Sequence, residues 1–386
     1  MLLFNSLLGS ADGVDGEPDR MLQGMQRFAL LAAATALLAA CASPPRAPAV
    51  DPDAVRAKIQ GLMPATVANT ESWATDIYAA FEALGVPATT EHICGVLAVT
   101  EQESNFQVDP AVPGLPAIAR REIDARAESH HIPRLLVSAA LELRSPNGLS
   151  YGERLDRART EQDLSEMFED FIREVPLGER LFGDLNPVRT GGPMQVSIAF
   201  AERQAKERRY PYPMPGTVRA EVFTRRGGLY FGIAHLLDYA APYDDMVFRF
   251  ADYNAGHFAS RNAAFQNAVN IAAGTRLALD GDLLIEGSNE SSATEQAIRS
   301  IGRRLDLSDA QIRSALKHGG EAEFERTPLY SRVMALADAV PPGRPAPRAM
   351  VPRIELKSPK ISRHLTTDWF ARRVDDRYQR CVARAR

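Results

Sequence analysis

Glu103 is the side chain in this sequence best suited to exchange a proton with a substrate. It follows a segment, residues 89–102, in which side chains that favour burial recur at the spacing of one helical face. These residues are Ile93, Val96, Leu97 and Thr100. Glu103 lies on the same helical row as Val96, so we expect its carboxyl group to be partly desolvated yet reachable. Partial desolvation raises the pKa of a carboxyl group and lets it act as a general acid near neutral pH. The alternative is an ordinary surface glutamate at a helix end.

Three later motifs accompany Glu103 in a fixed order. Gly191-Gly192-Pro193-Met194-Gln195 predicts the start of a helix, because proline suits the first helical turn. The segment 227–237 is a glycine-punctuated apolar helix. Tyr253-Asn254-Ala255-Gly256 ends another apolar helix with a glycine stop. Each motif is weak by itself, and their order is more specific.

A Glu-Ser pair at a helix end, then Gly-x-Met-Gln, then Tyr-Asn-Ala-Gly resembles the soluble lytic transglycosylases, the goose-type-lysozyme-like enzymes that cleave peptidoglycan. The resemblance covers residues 89–256 and extends to a little-characterised group of Gram-negative envelope lipoproteins. It implies a lysozyme-like helical core and no cofactor. It also implies that Glu103 is the single acid and base. The glutamate protonates the glycosidic oxygen and then activates the muramic acid C6 hydroxyl, which gives a 1,6-anhydro end without water.

The same resemblance implies roles for further residues. Ser104 and Gln195 would hydrogen-bond near the acid or the substrate N-acetyl group. Tyr253 and Asn254 would orient Glu103 and the sugar, and Met194 would pack beneath the subsite. The simpler interpretations are a helix-end cap for Ser104, a core tyrosine for Tyr253 and a helix C-cap for Asn254.

Two other carboxylates lie near these motifs. Glu101 falls on the opposite flank of the buried stripe from Glu103, so both cannot point equally well into one cleft. Asp252 could be the second carboxylate of an inverting hydrolase. Three functional classes therefore remain open: a lytic transglycosylase, a muramidase that uses water, and a non-catalytic lipoprotein that binds glycan or acts as a scaffold for other envelope proteins.

The beginning of the chain predicts export and lipidation. Arg27 precedes an apolar run at 28–40, which ends in small residues before Cys41. This is the layout of a bacterial lipoprotein signal peptide, with lipid attached to Cys41 and Ala42 favouring the outer membrane. The acidic segment 1–24 is poor signal sequence, so we expect translation to start at Met21 or Met25. The expected partners are peptidoglycan strands and the outer membrane.

The helical periodicity predicts a mainly α fold in several parts. A lipidated tether is expected at 41–56, a lysozyme-like domain at 57–275 and a mostly helical annex at 276–386, which includes a hairpin at 277–285. An insertion at about 107–189 departs from the family pattern and favours the non-catalytic class, because it could close the groove. Its two stripes are Ile132, Leu135, Leu136, Ala139 and Leu143, and Leu164, Met167, Phe168, Phe171 and Ile172.

The charge, histidine and cysteine content of the chain bears on its possible partners, metal sites and disulfides. The net charge of −4 has interspersed signs and no basic stripe, which argues against nucleic acid as a partner. The adjacent His130 and His131 have no further ligands at matching spacing, so no metal site is predicted. With Cys41 assigned to the lipid, Cys94 and Cys381 form a disulfide in an oxidising periplasm or remain two buried thiols.

Overall fold

Helices dominate the structure, a computed structural model that describes residues 51–174, 186–340, 345–356 and 364–385. Two short two-stranded sheets occur among these residues. The mainly α prediction is therefore confirmed. The predicted signal segment 28–40 and Cys41 lie outside the described residues. No helix in the described ranges is both long and apolar enough to cross a bilayer.

The first part of the chain forms eleven elements. They are α1 (Pro52–Leu62), α2 (Thr70–Leu84), α3 (Thr90–Ser104), α4 (Leu115–Ser129), α5 (Arg134–Glu142), α6 (Tyr151–Arg157), α7 (Glu161–Glu174), β1 (Thr190–Gly191), β2 (Val196–Ser197), α8 (Ile198–Glu207) and α9 (Val218–Val222). β1 and β2 pair antiparallel.

The second part begins at the glycine-rich helix. It comprises α10 (Arg225–Leu237), α11 (Met246–Ala255), α12 (Ala259–Ala273), α13 (Ala293–Ser300), α14 (Gly302–Leu305), α15 (Asp309–Leu316), two 3₁₀ turns (Lys317–Gly320 and Ala322–Arg326), α16 (Pro328–Asp338), β3 (Glu355–Leu356), β4 (Leu365–Thr366) and α17 (Thr367–Arg384). Ser308 and Gln311 form a capping box at the start of α15.

The first hydrophobic core surrounds α10, in which nearly every residue is buried. α2 packs along α10, while α3 and α11 pack against α17. Gly95 lets α3 approach α11 closely, since a Cβ atom there would lie 2.6 Å from the Met246 Cε atom. This core holds the predicted Glu103, Met194 and Tyr253 motifs within one packed unit.

The C-terminal helix α17 belongs to this first core. Cys94 of α3 and Cys381 of α17 form a disulfide, with their Cα atoms 5.4 Å apart. Phe370, Ala371 and Val374 of α17 are buried in the same core. The last helix therefore returns to the helix that carries Glu103.

A second core lies in α12–α16 and contains a buried arginine. Arg261 donates hydrogen bonds to the carbonyl oxygens of Gly319 (2.5 Å) and Glu321 (2.8 Å), and its guanidinium group lies over the Phe258 ring. Because α12 belongs to this core, the two cores divide the chain near Gly256. The sequence prediction had drawn the division at 275 and had assigned α17 to the annex.

The insertion contains α4–α7, and its two apolar stripes differ in burial. Leu164, Met167 and Ile172 of α7 are buried as expected. The other stripe, on and beside α5, is not buried. Its Ile132, Leu135, Leu136 and Leu143 are all exposed. Sequence periodicity identified a shared face, but nothing from the described chain covers it.

Three local predictions are wrong. The motif at 191–195 does not open a helix: it forms the turn between β1 and β2, and α8 begins at Ile198. Residues 277–285 form no hairpin, because the side chain of Gln266 bonds the backbone there and takes the place of a partner strand. The tether does not extend to 56, since α1 begins at Pro52, a residue type that favours the first helical turn.

Candidate functional site

Glu103 lies in the last turn of α3, where the chain changes direction abruptly. Thr89 caps the start of α3 by accepting a hydrogen bond from the His92 backbone N–H (3.2 Å). Asn105 and Phe106 then both adopt left-handed backbone conformations, with φ of 51° and 60°. Such conformations are costly for residues other than glycine, and two in succession indicate a geometry imposed by the surrounding fold. The half-buried Phe106 ring packs edge-on against Trp73 at 5.4 Å, which holds the helix end in place.

The turn Gly192–Gln195 rests directly on the glycines of α10. A Cβ atom at Gly232 would lie 2.6 Å from the Met194 side chain, and one at Gly228 would collide with Pro193. The close approach therefore requires glycine at both positions. The glycine punctuation of α10, which was one of the sequence motifs, is explained by contact with the Met194 motif.

Tyr253 connects this turn to the Glu103 helix end. Its hydroxyl donates a hydrogen bond of 2.6 Å to the Met194 carbonyl oxygen. Burial raises the pKa of Tyr253 well above its usual value, and the negative charge of Glu103 raises it further. The Glu103, Met194 and Tyr253 motifs therefore meet in one place.

Asn254, the next residue, is exposed and held by the C-terminal helix. The Thr367 hydroxyl donates to the Asn254 Oδ1 atom at 3.0 Å, and Thr367 is fully buried. This hydrogen bond identifies which atom of the Asn254 amide is the oxygen acceptor, so the Nδ2 donor lies on the other side of the amide. Thr367 is a contact that the sequence motifs gave no means of finding, because it lies more than a hundred residues away.

Ser104 and Gln195 are engaged within their own elements. The buried Ser104 hydroxyl donates to the Thr100 carbonyl oxygen at 3.1 Å. Gln195 has a left-handed backbone (φ 50°), and its side chain accepts from the Thr190 hydroxyl and donates to the Gly192 carbonyl oxygen. Both side chains bond groups of their own local segment, and the C-cap of α3 is Asn105 rather than Ser104.

The other two carboxylates have distinct partners. Glu101 lies 3.4 Å from Arg377 and 3.4 Å from Arg380, both on α17. Asp252 is fully buried and accepts hydrogen bonds from the backbone N–H groups of Phe258 and Ser260 and from the Tyr239 hydroxyl. Burial raises the pKa of Asp252 to about 6. Asp252 therefore joins α11 to α12 and has no contact with solvent.

Two stacked histidines, His235 and His257, lie next to Tyr253, and His235 packs against its ring. The His235 Nε2–H group donates to the Tyr253 carbonyl oxygen at 3.2 Å, and His257 donates to the His235 carbonyl oxygen at 2.7 Å. Burial, together with the neighbouring His257, lowers the pKa of His235 to about 3, so the ring is neutral. Its Nδ1 atom is buried without a hydrogen-bond partner among the described residues. Sequence reasoning missed this pair because an isolated histidine in an apolar helix gives no signal of its neighbour.

The exposed pair His130 and His131 lies far along the chain from these motifs, at the end of α4. Within the ranges that the structure describes, no group of three or more His, Cys, Asp or Glu side chains could hold a metal ion. A cavity of about 260 Å³ adjoins the last motif, lined by Ala255, His257, Asn262, Asp282 and Lys317 among others. None of the predicted site residues lines it.

Comparison with known proteins gives a family and a relative. The family model described as "Protein of unknown function (DUF1615)" matches residues 66–384. A protein of Escherichia coli (strain K12) named "Uncharacterized protein YaiW" is 56% identical over 328 residues, which are 85% of this chain and 89% of that protein. No solved structure shows a significant match. The family match covers every described residue of the candidate site, and it leaves out only the part of the first core that precedes residue 66.

Proposed function

We propose that this chain, which belongs to the family described as "Protein of unknown function (DUF1615)", is a peptidoglycan lytic transglycosylase with Glu103 as its single acid and base. The observation that carries the proposal is the position of Tyr253. It bonds the Met194 carbonyl oxygen and also experiences the charge of Glu103. Motifs that are separated along the chain thereby share one site, in the order typical of these enzymes.

The proposed reaction needs one carboxyl group that changes protonation state. Glu103 donates its proton to the oxygen between MurNAc and GlcNAc while the substrate N-acetyl group assists bond cleavage. The Glu103 carboxylate then removes the proton of the C6 hydroxyl, which closes the 1,6-anhydro ring. One positioned acid–base group contributes on the order of 10²–10⁴ in rate, so binding and electrostatics must supply the remainder.

The surroundings of the other carboxylates favour internal attack over hydrolysis. A two-carboxylate hydrolase needs both groups at the scissile bond. Asp252 is fully buried and saturated with hydrogen bonds, while Glu101 is occupied by two arginines of α17. Neither group is therefore placed as a second carboxylate beside Glu103, and a single carboxylate suits the C6 hydroxyl as nucleophile.

We also propose a location for the enzyme. The sequence 28–41 has the layout of a lipoprotein signal peptide, which would anchor Cys41 in the outer membrane on its periplasmic side. Peptidoglycan lies within the same compartment, so substrate and enzyme would meet there.

A non-catalytic, glycan-binding lipoprotein is the second candidate. The observation that favours it is the engagement of Ser104 and Gln195 within their own elements. These side chains would then be unavailable to the substrate unless they change partners on binding.

The mass of the products distinguishes the candidates. Purified peptidoglycan is digested with the full mature protein and the muropeptides are analysed by mass spectrometry. We expect products with 1,6-anhydro ends, lighter by one water than hydrolytic products. Reducing ends alone would instead identify a muramidase. No products together with measurable binding to glycan strands would identify the non-catalytic protein and contradict the proposal.

A further inference from the structure

The cavity of about 260 Å³ beside α12 is a candidate binding site that the proposed function does not use. Its walls are formed by the end of α11, by α12, by the segment 281–284 and by the 3₁₀ turn Lys317–Gly320. Two of the lining residues, Asp282 and Lys317, are exposed, so the cavity is open to solvent. Pockets for drug-sized ligands measure about 300–1,000 Å³, and this volume therefore suits a smaller molecule.

Buried polar side chains of α12 hold both loops of the cavity in place. Gln266 donates to the Asp282 carbonyl oxygen at 3.0 Å, and its Oε1 atom accepts from the Gly281 N–H group at 2.8 Å. Asn262 donates to the Gly319 carbonyl oxygen at 2.9 Å. Both side chains are almost completely buried, and buried polar groups with satisfied hydrogen bonds make the surrounding structure rigid. The loops are therefore positioned before any ligand arrives.

The Asp282 carboxylate has no partner of opposite charge. Within the described ranges it accepts no hydrogen bond and forms no ion pair. Partial desolvation raises the pKa of Asp282, and the negative charges of Asp280 and Glu286 raise it further. A positively charged ligand group would offset this effect, because an opposite charge nearby stabilises an ionised carboxyl group.

His257 supplies a second acceptor in the wall of the cavity. Its Nε2–H group donates to the His235 carbonyl oxygen at 2.7 Å. Burial lowers the pKa of His257, so the ring is neutral at neutral pH and carries its proton on Nε2. The Nδ1 atom is then an acceptor and is the ring nitrogen that remains for a ligand. Together with Asp282, it suits an ammonium group.

Lys317 places a positive charge in the same cavity. Its ammonium group forms no ion pair in the part of the chain that the structure describes, so it leaves the charge of Asp282 uncompensated. A ligand with one charge of each sign would compensate both residues. The apolar part of the lining comprises Leu283, Leu284 and Leu316. An ammonium group, a carboxylate and an apolar side chain occur together in a small molecule in the α-amino acids.

We propose that this cavity binds a free α-amino acid with an apolar side chain, whose ammonium group bonds Asp282 and His257 and whose carboxylate pairs with Lys317. The site is independent of the proposed transglycosylase activity, because none of the residues assigned to that reaction lines the cavity. Binding is measured without peptidoglycan, so the failure of one proposal leaves the other unaffected.

Isothermal titration calorimetry of the full mature protein tests the proposal. The ligands are L-alanine, L-leucine and L-phenylalanine, which differ in the size of the apolar side chain. Two analogues of L-leucine each remove one charge, since N-acetyl-L-leucine lacks the ammonium group and L-leucinamide lacks the carboxylate. We expect at least one of the three amino acids to bind. We expect each matching analogue to bind at least about tenfold more weakly, because it leaves one charged group of the cavity without a partner.

Variants of the two charged residues assign the binding to this cavity. Asp282→Asn and Lys317→Gln preserve the approximate size of each side chain and remove its charge, so each should lower the affinity at least about tenfold. In Lys317→Gln, L-leucine and L-leucinamide should bind alike, because the ligand carboxylate has lost its partner. The matched control is Asp244→Asn with Lys206→Gln, which changes two exposed residues outside the cavity and should leave the affinity unaltered.

Three results would overturn the proposal. The first is that none of the three amino acids binds the wild-type protein. The second is equal binding of an amino acid and both of its analogues, since the charges would then not be recognised. The third is an unchanged affinity in both Asp282→Asn and Lys317→Gln, which would place the amino acid elsewhere on the protein.

Discussion

Glu101 and Glu103 are two residues apart on the same helix and have different surroundings. Two residues correspond to about 200° of rotation, so the side chains leave α3 on opposite flanks. Glu101 faces α17 and its arginines, whereas the charge of Glu103 is felt by Tyr253. Helical periodicity predicted this separation correctly, and it makes Glu101 a natural control for Glu103.

His235 shows how a buried residue can position the site without contacting a substrate. Its Nε2–H group bonds the carbonyl oxygen of Tyr253, and its ring packs against Phe200 and His257. A charged imidazolium would be costly in this buried place, which is why the pKa is lowered to about 3.

The first prediction concerns the pH dependence of stability. In the unfolded chain His235 has a pKa of about 6.5, so below that pH the unfolded state binds a proton that the folded state does not. Stability from neutral His235 is thus present above about pH 6.5 and is lost as pH falls toward 3. For His235→Gln we expect the loss of unfolding free energy between pH 7 and pH 5 to be smaller than in the wild type by about 2 kcal/mol.

Urea unfolding of the wild type and of His235→Gln at pH 7 and pH 5 measures this difference. Each protein at pH 5 is compared with the same protein at pH 7. Asp252 titrates in an overlapping range with the opposite sign, since its raised pKa favours the folded state in acid. That contribution is common to both proteins and cancels in the comparison. Identical pH slopes for wild type and His235→Gln would show that His235 is charged in the folded state.

At the scale of elements, α17 contacts the candidate site along its whole length. Thr367 at its start bonds Asn254, Arg377 in its middle pairs with Glu101, and Cys381 near its end is bonded to Cys94. A helix attached at three points constrains the relative position of α3 and α11. We infer that α17 holds the site together although it carries none of the sequence motifs.

Thr367→Val tests this positioning. The variant preserves shape but removes the donor to Asn254 Oδ1, so we expect about 1 kcal/mol less stability and roughly tenfold lower kcat with a smaller effect on KM. Thr367→Ser, which restores the hydroxyl, should recover the activity. These values come from steady-state digestion of peptidoglycan and from thermal unfolding.

Thr366→Val is the control at the neighbouring position. Thr366 caps α17 by accepting from the Trp369 backbone N–H, so its loss costs about 1 kcal/mol without contact to Asn254. Equal activity loss in Thr366→Val and Thr367→Val would attribute the effect to stability and remove Thr367 from the positioning role.

The elements also show what the sequence could and could not predict. Apolar periodicity located α3, α10 and α11, because their buried faces repeat at the helical period. The turn Gly192–Gln195 was mistaken for a helix start, since glycine followed by proline suits both structures. Pro193 and Met194 pack on the glycines of α10, a long-range contact that leaves no local signal, and Gln195 has a left-handed backbone in the same turn.

At the scale of the whole molecule, periodicity cannot tell whether a face is covered. The stripe on α5 and the stripe on α7 look alike in sequence, yet α7 is buried and α5 is exposed. The cysteine count suggested the Cys94–Cys381 pair, and thus that the two ends of the folded chain meet. The division into two cores depends on long-range contacts, which the local pattern of the sequence does not contain.

The location prediction belongs to this scale. Cys41→Ala removes the residue expected to carry the lipid, so the protein should leave the outer-membrane fraction or accumulate as an uncleaved precursor of higher mass. Membrane fractionation and intact-mass measurement check this, with Cys94→Ser as a control that leaves the signal sequence unchanged. Unaltered fractionation and mass in Cys41→Ala would contradict the lipoprotein assignment.

The central claim is that Glu103 is the single acid and base, and digestion of peptidoglycan by Glu103→Gln tests it most directly. We expect activity to fall by on the order of 10²–10⁴ or below detection, with thermal unfolding nearly unchanged because the amide preserves the shape of the side chain. Glu101→Gln should remain active and lose only roughly 0.2–1 kcal/mol of stability from its partly exposed ion pairs. Digestion that survives Glu103→Gln, or that is lost in Glu101→Gln instead, would contradict the account.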